Sequence, residues 1–159
     1  MSCCGGTKVV PHCGEVLLLG PESAGKTLLC KHFEQISAGK APAALDIKTQ
    51  QSIGIELAEM RHRKRLFTVR EIGGCMQPVW HRYFEGASAV LFVADSASME
   101  GMAEAAVELL ELLRQVPDKR VMLFLNKRDA PAALPEESWR LLLRVPELEA
   151  IAGDDRLRL

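Results

Sequence analysis

The chain has no excess of charge of either sign. Its 159 residues carry 20 basic and 21 acidic side chains, a formal net charge of −1. That balance removes the electrostatic basis for gripping duplex nucleic acid and limits membrane contact to the peripheral kind. No apolar stretch approaches the 18 or more residues that cross a bilayer. The first residues, Met1-Ser2-Cys3-Cys4-Gly5-Gly6, lack the basic start and apolar run of a secretion signal. The five cysteines, Cys3, Cys4, Cys13, Cys30 and Cys75, fit neither a disulfide framework nor a paired zinc-ligand spacing, which predicts a reducing, cytoplasmic setting. There is no internal repeat and no low-complexity tract. What is present is a 48% apolar fraction, enough for the core of one ordinary domain.

The apolar residues recur in an alternating order. Glu15–Leu19 is a short run stopped by Gly20 and Pro21, the pattern of a buried strand. Leu29, Phe33 and Ile36 then repeat at helical spacing until Gly39. Residues 40–51 read as a loop. Two strands, Ser52–Glu59 and Arg65–Glu71, flank the basic stretch Arg61–Lys64 and predict a hairpin with a solvated turn. Ser88–Ala94 and Val121–Leu125 are continuous runs of the kind covered on both faces. Between them Met102, Ala105, Ala106, Leu109, Leu110 and Leu113 form one helical stripe, with Glu104, Glu108 and Glu111 expected on the outer side. Pro135 opens a short helix through Leu143. The alternation predicts an α/β fold, a mostly parallel sheet with helices on both faces and the hairpin as an antiparallel edge. The expected domain covers 14–159, after a flexible tail over 1–13.

One loop carries the strongest chemical signal. Gly20-Pro21-Glu22-Ser23-Ala24-Gly25-Lys26-Thr27 matches G-x-x-x-x-G-K-[ST] and sits between a strand and a helix. Successive backbone N–H groups must curl around a polyphosphate, and glycines allow that approach. Gly20, Glu22, Ser23, Ala24, Gly25, Lys26, Thr27 and Leu28 are therefore the expected phosphate-binding residues. Lys26 would reach the β and γ phosphates, and the Thr27 hydroxyl would ligate Mg²⁺. The helix that follows aims its positive end at the same anion.

The second signal is Asn126-Lys127-Arg128-Asp129, directly after the strand Val121–Leu125. Open α/β sheets bind ligands at the C-terminal ends of their strands. A carboxylate there, Asp129, can accept two hydrogen bonds from guanine N1–H and the exocyclic amine. Adenine lacks that donor pair and would leave the acid unpaired. Asn126 would tie this loop to the phosphate loop, and the Lys127 stem would lie over the base. A competing reading, a P-loop ATPase or nucleotide kinase, takes Asp95 as the carboxylate that positions Mg²⁺.

With these residues in order, the chain resembles the small GTPases among the P-loop NTPases, and within them the ADP-ribosylation-factor-like branch. The resemblance rests on Gly20–Thr27, Ser52-Ile53-Gly54, Glu71-Ile72-Gly73-Gly74, Trp80-His81-Arg82-Tyr83-Phe84 and Asn126–Asp129, and runs from about Glu15 to Leu148. It implies GTP and GDP as ligands and Mg²⁺ as cofactor. It also implies that Ser52 supplies a second metal ligand where the family usually has Thr, and that Gly74 gives its N–H to the γ-phosphate. Contacts made only with the triphosphate would order two loops, giving a switch read by effector, activating or exchange proteins, typically in membrane traffic.

The chain also departs from that family. Glu71 stands where the D-x-x-G aspartate is expected. Cys75 occupies the place of the glutamine that orients attacking water, and a thiol cannot fix a water as an amide does. Weak intrinsic GTP hydrolysis is the expectation. Gln77 is a minor candidate for the missing role. Position 2 is Ser2 rather than a glycine for myristoylation, although Cys3 and Cys4 are available to acylation. The family's closing helix has no counterpart among these residues. These departures keep open a second reading, a scaffold of this fold that binds nucleotide poorly or not at all.

Overall fold

The structure, a computed structural model, describes residues 12–40, 53–153 and 155–159. Cys3, Cys4, Ser52 and most of the loop expected over 40–51 lie outside the described residues. The elements run β1 (His12–Leu19), α1 (Lys26–Ser37), β2 (Ile55–His62), β3 (Arg65–Ile72), a 3-10 helix (Gly74–Tyr83), β4 (Ala87–Asp95), α2 (Met99–Gln115), β5 (Arg120–Asn126), α3 (Glu136–Leu142), α4 (Val145–Ala152) and β6 (Leu157–Arg158). The six strands form one sheet in the order β2-β3-β1-β4-β5-β6. Every neighbouring pair is parallel except β2 with β3. The expected mostly parallel α/β sheet with one antiparallel edge is the observed fold.

Each face of the sheet has its own core. Leu17, Leu19, Ile72, Phe92, Leu109 and Leu113 belong to the larger one, which α2, α3, α4 and the 3-10 helix cover. Trp80 meets Phe92 edge-on there, with ring centroids 6.3 Å apart. Leu18, Leu29, Cys30, Met60, Val69 and Val93 make the smaller core beneath α1. Leu17 and Leu18 point to opposite faces because side chains alternate along a strand. Burial on both faces explains why these central strands read as continuous apolar runs.

Several boundaries differ from expectation. β1 begins at His12, with its register to β3 shifting before Glu15. β2 starts at Ile55 and takes Arg61 and His62 into the strand, leaving only Arg63 and Lys64 as the turn. An edge strand tolerates outward charged residues, so the basic stretch does not end it. The 3-10 helix and α4 have no periodic signature long enough to predict. Ile36, expected on the buried stripe of α1, is 56% exposed. It borders an open apolar cavity of about 270 Å³ lined also by Val16, Phe33, Met60, Phe67 and Leu91. Glu108 is not on the outer side of α2: it is half-buried, and its Oε2 is enclosed without a hydrogen-bond partner. It lies at the flank of the stripe, where the helix turns toward the phosphate loop.

Candidate nucleotide site

The loop after β1 and the loop after β5 lie side by side at the C-terminal end of the sheet. β1 and β5 both flank β4, and Asp95 at the end of β4 pairs in register with Asn126. Asn126 donates from Nδ2 to the Ala24 carbonyl at 2.9 Å. Gly25 is required at that junction. Its φ is +88°, and a Cβ there would stand 2.4 Å from Asn126 Nδ2.

Gly25 also precedes α1, whose first turn holds no acidic residue. The first N–H groups of a helix have no partner within the helix itself, and with the helix dipole they make a positive end suited to an anion. Glu22 and Ser23 are exposed at the loop tip, Ala24 is buried, and Leu28 is half-buried on α1. Lys26 is only 6% exposed. Its Nζ donates to the carbonyls of Gly20 and Pro21, each at 2.7 Å. Burial pulls its pKa below the ordinary lysine value, against the opposing pull of Glu71 and Glu108.

Thr27 and Glu71 form the other wall. Thr27 Oγ1 donates to Glu71 Oε1 at 2.5 Å. Glu71 is 2% exposed, and its Oε2 is buried without a hydrogen-bond partner. Burial raises its pKa, and the bond from Thr27 opposes that rise. An orphaned carboxylate oxygen beside a hydroxyl is a hard-oxygen donor set of the kind Mg²⁺ takes. The residues present therefore fit the metal that the sequence implies.

Gly74, at the start of the 3-10 helix, lies against the phosphate loop itself. A Cβ on it would come 2.4 Å from Glu22 N and 2.8 Å from the Pro21 carbonyl carbon. Gly73 N donates to Gly54 O at 3.0 Å, and Trp80 Nε1 to Gly73 O at 3.3 Å. The glycine pair is thus pinned from both sides, next to the loop expected to hold phosphates.

In the loop after β5, Lys127 has a φ of +59°. Its Nζ reaches Asp95 Oδ2 at 2.7 Å, and Asp95 Oδ1 accepts from Ala97 N at 2.9 Å. Both Asp95 oxygens are engaged, one by Lys127 and the other by the turn that follows β4, while the carboxylate bonded to Thr27 is Glu71. That partition counts against Asp95 as the metal-positioning group. Asp129 is exposed at the end of the same turn. Ser96, which sequence reasoning did not single out, braces the loop: its Oγ donates to Asn126 O at 2.6 Å, and its carbonyl accepts from Leu134 N at 2.7 Å. Cys75 is exposed in the first turn of the 3-10 helix. Gln77 donates to Glu111 of α2 at 3.3 Å.

A family model for the ADP-ribosylation factor family matches residues 7–156. The chain is 34% identical over 143 residues to ADP-ribosylation factor-like protein 16 of Homo sapiens, a match covering 87% of this chain and 72% of that protein. Among solved structures it resembles the Arl6 BBS3 small GTPase from Trypanosoma brucei with bound nucleotide analogue GppNp. The TM-score is 0.72 at 21% identity, over 90% of this chain and 82% of that one, a likeness of fold. Among the described residues no helix is long and apolar enough to cross a membrane.

Proposed function

Since this chain belongs to the ADP-ribosylation factor family, we propose that it is a GTP-binding switch with weak intrinsic hydrolysis. The observation that carries this reading is the bond from Asn126 to Ala24, which joins a phosphate loop to a purine-selecting loop. Two loops with separate chemistry thereby become neighbours, one suited to a base and the other to phosphates.

The residues divide the work. Backbone N–H groups of Glu22 to Thr27 and the start of α1 take the phosphates. Lys26 Nζ exchanges the Gly20 and Pro21 carbonyls for phosphate oxygens, and so enters the site from a held position. Thr27, and Ser52 by the family resemblance, would hold Mg²⁺ through their hydroxyl oxygens, and the cation would supply positive charge to the phosphates. Asp129 accepts from guanine N1–H and the exocyclic amine. Gly74 turns its N–H to the third phosphate, which requires the 3-10 helix to shift from its present seat on Pro21 and Glu22. That shift is the signal that effector, activating or exchange proteins would read, in membrane traffic by the family resemblance.

Hydrolysis is weak in this account because Cys75 replaces an amide by a thiol, and Gln77 is turned toward Glu111. Hydrogen exchange of residues 74–83 tests the switch. Amide protection in this segment should change several-fold between GDP and a non-hydrolysable GTP analogue. Identical exchange with both nucleotides would support the scaffold reading instead.

A further inference from the structure

We propose that Ser96 is a positioning residue for the base: it fixes where Asp129 stands, and so how well the site tells guanine from its close analogues. The inference rests on the nucleotide-switch reading and gives a task to a buried hydroxyl outside the nucleotide contacts. Ser96 directly follows β4 and is fully buried. It holds both feet of the loop that carries Asp129. At the first foot the Asn126 carbonyl accepts from Ser96 N at 3.0 Å and from Ser96 Oγ at 2.6 Å. At the second foot Leu134 N donates to the Ser96 carbonyl at 2.7 Å.

Asp129 is exposed, so the backbone of the loop decides where its carboxylate stands. That backbone contains one awkward step. Lys127 takes a φ of +59°, a left-handed conformation that is unfavourable for a residue with a side chain unless its surroundings impose it. The peptide plane that enters Lys127 is the one whose oxygen is the Asn126 carbonyl. Two donors from one buried residue fix the direction of that oxygen, and the plane with it. The backbone N–H of Ser96 alone would give the carbonyl a single bond, as within any strand ladder. The second bond, from the hydroxyl, is what serine adds here. An alanine keeps both backbone bonds and removes only that one.

The test compares GTP with ITP, whose base lacks the exocyclic amine, by titration of the full chain with Mg²⁺. Asp129 would accept two hydrogen bonds from guanine and one from hypoxanthine, so a displaced carboxylate weakens GTP more than ITP. In Ser96→Ala the ratio of GTP to ITP affinity should fall about fivefold, the worth of one neutral hydrogen bond. Ser96→Cys, with a weaker donor, should fall between wild type and Ser96→Ala. It is the variant to read if the alanine form does not fold. Hydrogen exchange without nucleotide gives a second arm. Amide protection at Ala130 and Leu134 should drop in Ser96→Ala, while that of Leu29 in α1 stays as in wild type. GTP and ITP weakened by the same factor, or not weakened at all, would overturn the proposal, because a serine that only completes the core has no effect on their ratio. Unchanged protection at Ala130 and Leu134 would overturn it too. If wild type bound neither nucleotide, the switch reading would fail, and the exchange arm would still decide whether Ser96 sets the loop.

Discussion

Asn126 Nδ2 lies 2.9 Å from the Ala24 carbonyl, a bond between residues 102 positions apart in the chain. It joins the end of β5 to the loop after β1 and leaves no space at Gly25 for a side chain. Gly25→Ala should therefore be harmful twice, through its left-handed φ and through the clash with Asn126. A loss of about 1–3 kcal/mol of stability is expected from the strain. Nucleotide affinity should fall as well, by about tenfold for each 1.4 kcal/mol of phosphate contact that the displaced loop loses. Asn126→Ala should lower stability by about 1 kcal/mol through the lost bond. Thermal melting and GDP titration of both variants check the pair.

Asp129 selects the base in this account. Asp129→Asn should lower GTP affinity while improving binding of xanthine nucleotides, whose extra carbonyl replaces a donor. Stability should change by less than about 0.5 kcal/mol, because the residue is exposed. Competition of XTP against fluorescent GTP reads the exchange of preference.

The proposed function makes Cys75 the residue that limits hydrolysis. Ras, a small GTPase that has the catalytic glutamine, turns over unaided at roughly 4 × 10⁻⁴ s⁻¹. Single-turnover hydrolysis by this chain should be slower than that, and Cys75→Gln should raise it. A wild-type rate above that value without any partner protein would contradict the assignment.

Glu108 makes stability depend on pH. Burial raises its pKa to about 7, reinforced by Glu104 and Glu111 on α2 and by Glu22 of the phosphate loop, and opposed by Lys26. A carboxyl group raised above its unfolded value contributes stability that is complete below that lower value. The contribution is lost as pH rises through the folded pKa. Nucleotide-free protein should accordingly become less stable between about pH 4.5 and pH 7. Each unit of pKa corresponds to about 1.4 kcal/mol, and partial solvent screening brings the expected loss to about 1–2 kcal/mol. In Glu108→Gln that part of the slope should vanish, leaving a variant more stable than wild type at pH 8. Denaturant melts across this range give the comparison.

The two loops of the candidate site, and their contact, follow from residues that backbone geometry demands there. Gly25 has to be a glycine, and Asn126 has to follow a core strand. The central strands were legible for a related reason: residues such as Phe92 and Val93 are covered on both faces and leave no polar alternation. The 3-10 helix over 74–83 was not legible, since a short segment with Pro78 inside it carries no period. Helix α4 is also too short to declare itself. Glu108 was misplaced because helical spacing puts it beside the stripe, and only the neighbouring phosphate loop decides whether that flank is covered. Glu71 stood out as a departure, but its bond to Thr27 depends on the register of β3 against β1, which pairs Leu18 with Glu71. Residue order alone does not contain that register.

The central claim is that one site takes guanosine phosphates at the junction of these two loops. Titration of fluorescent GDP, GTP and ATP analogues into the full chain with Mg²⁺, alongside Lys26→Ala, measures it most directly. Guanine nucleotides should bind at least about a hundredfold more tightly than ATP, a ratio in the range set by sites built to hydrogen-bond their ligand. Lys26→Ala should abolish most of that affinity. Binding of ATP as tight as GTP, or no binding of guanosine phosphates by well-folded protein, would contradict the account.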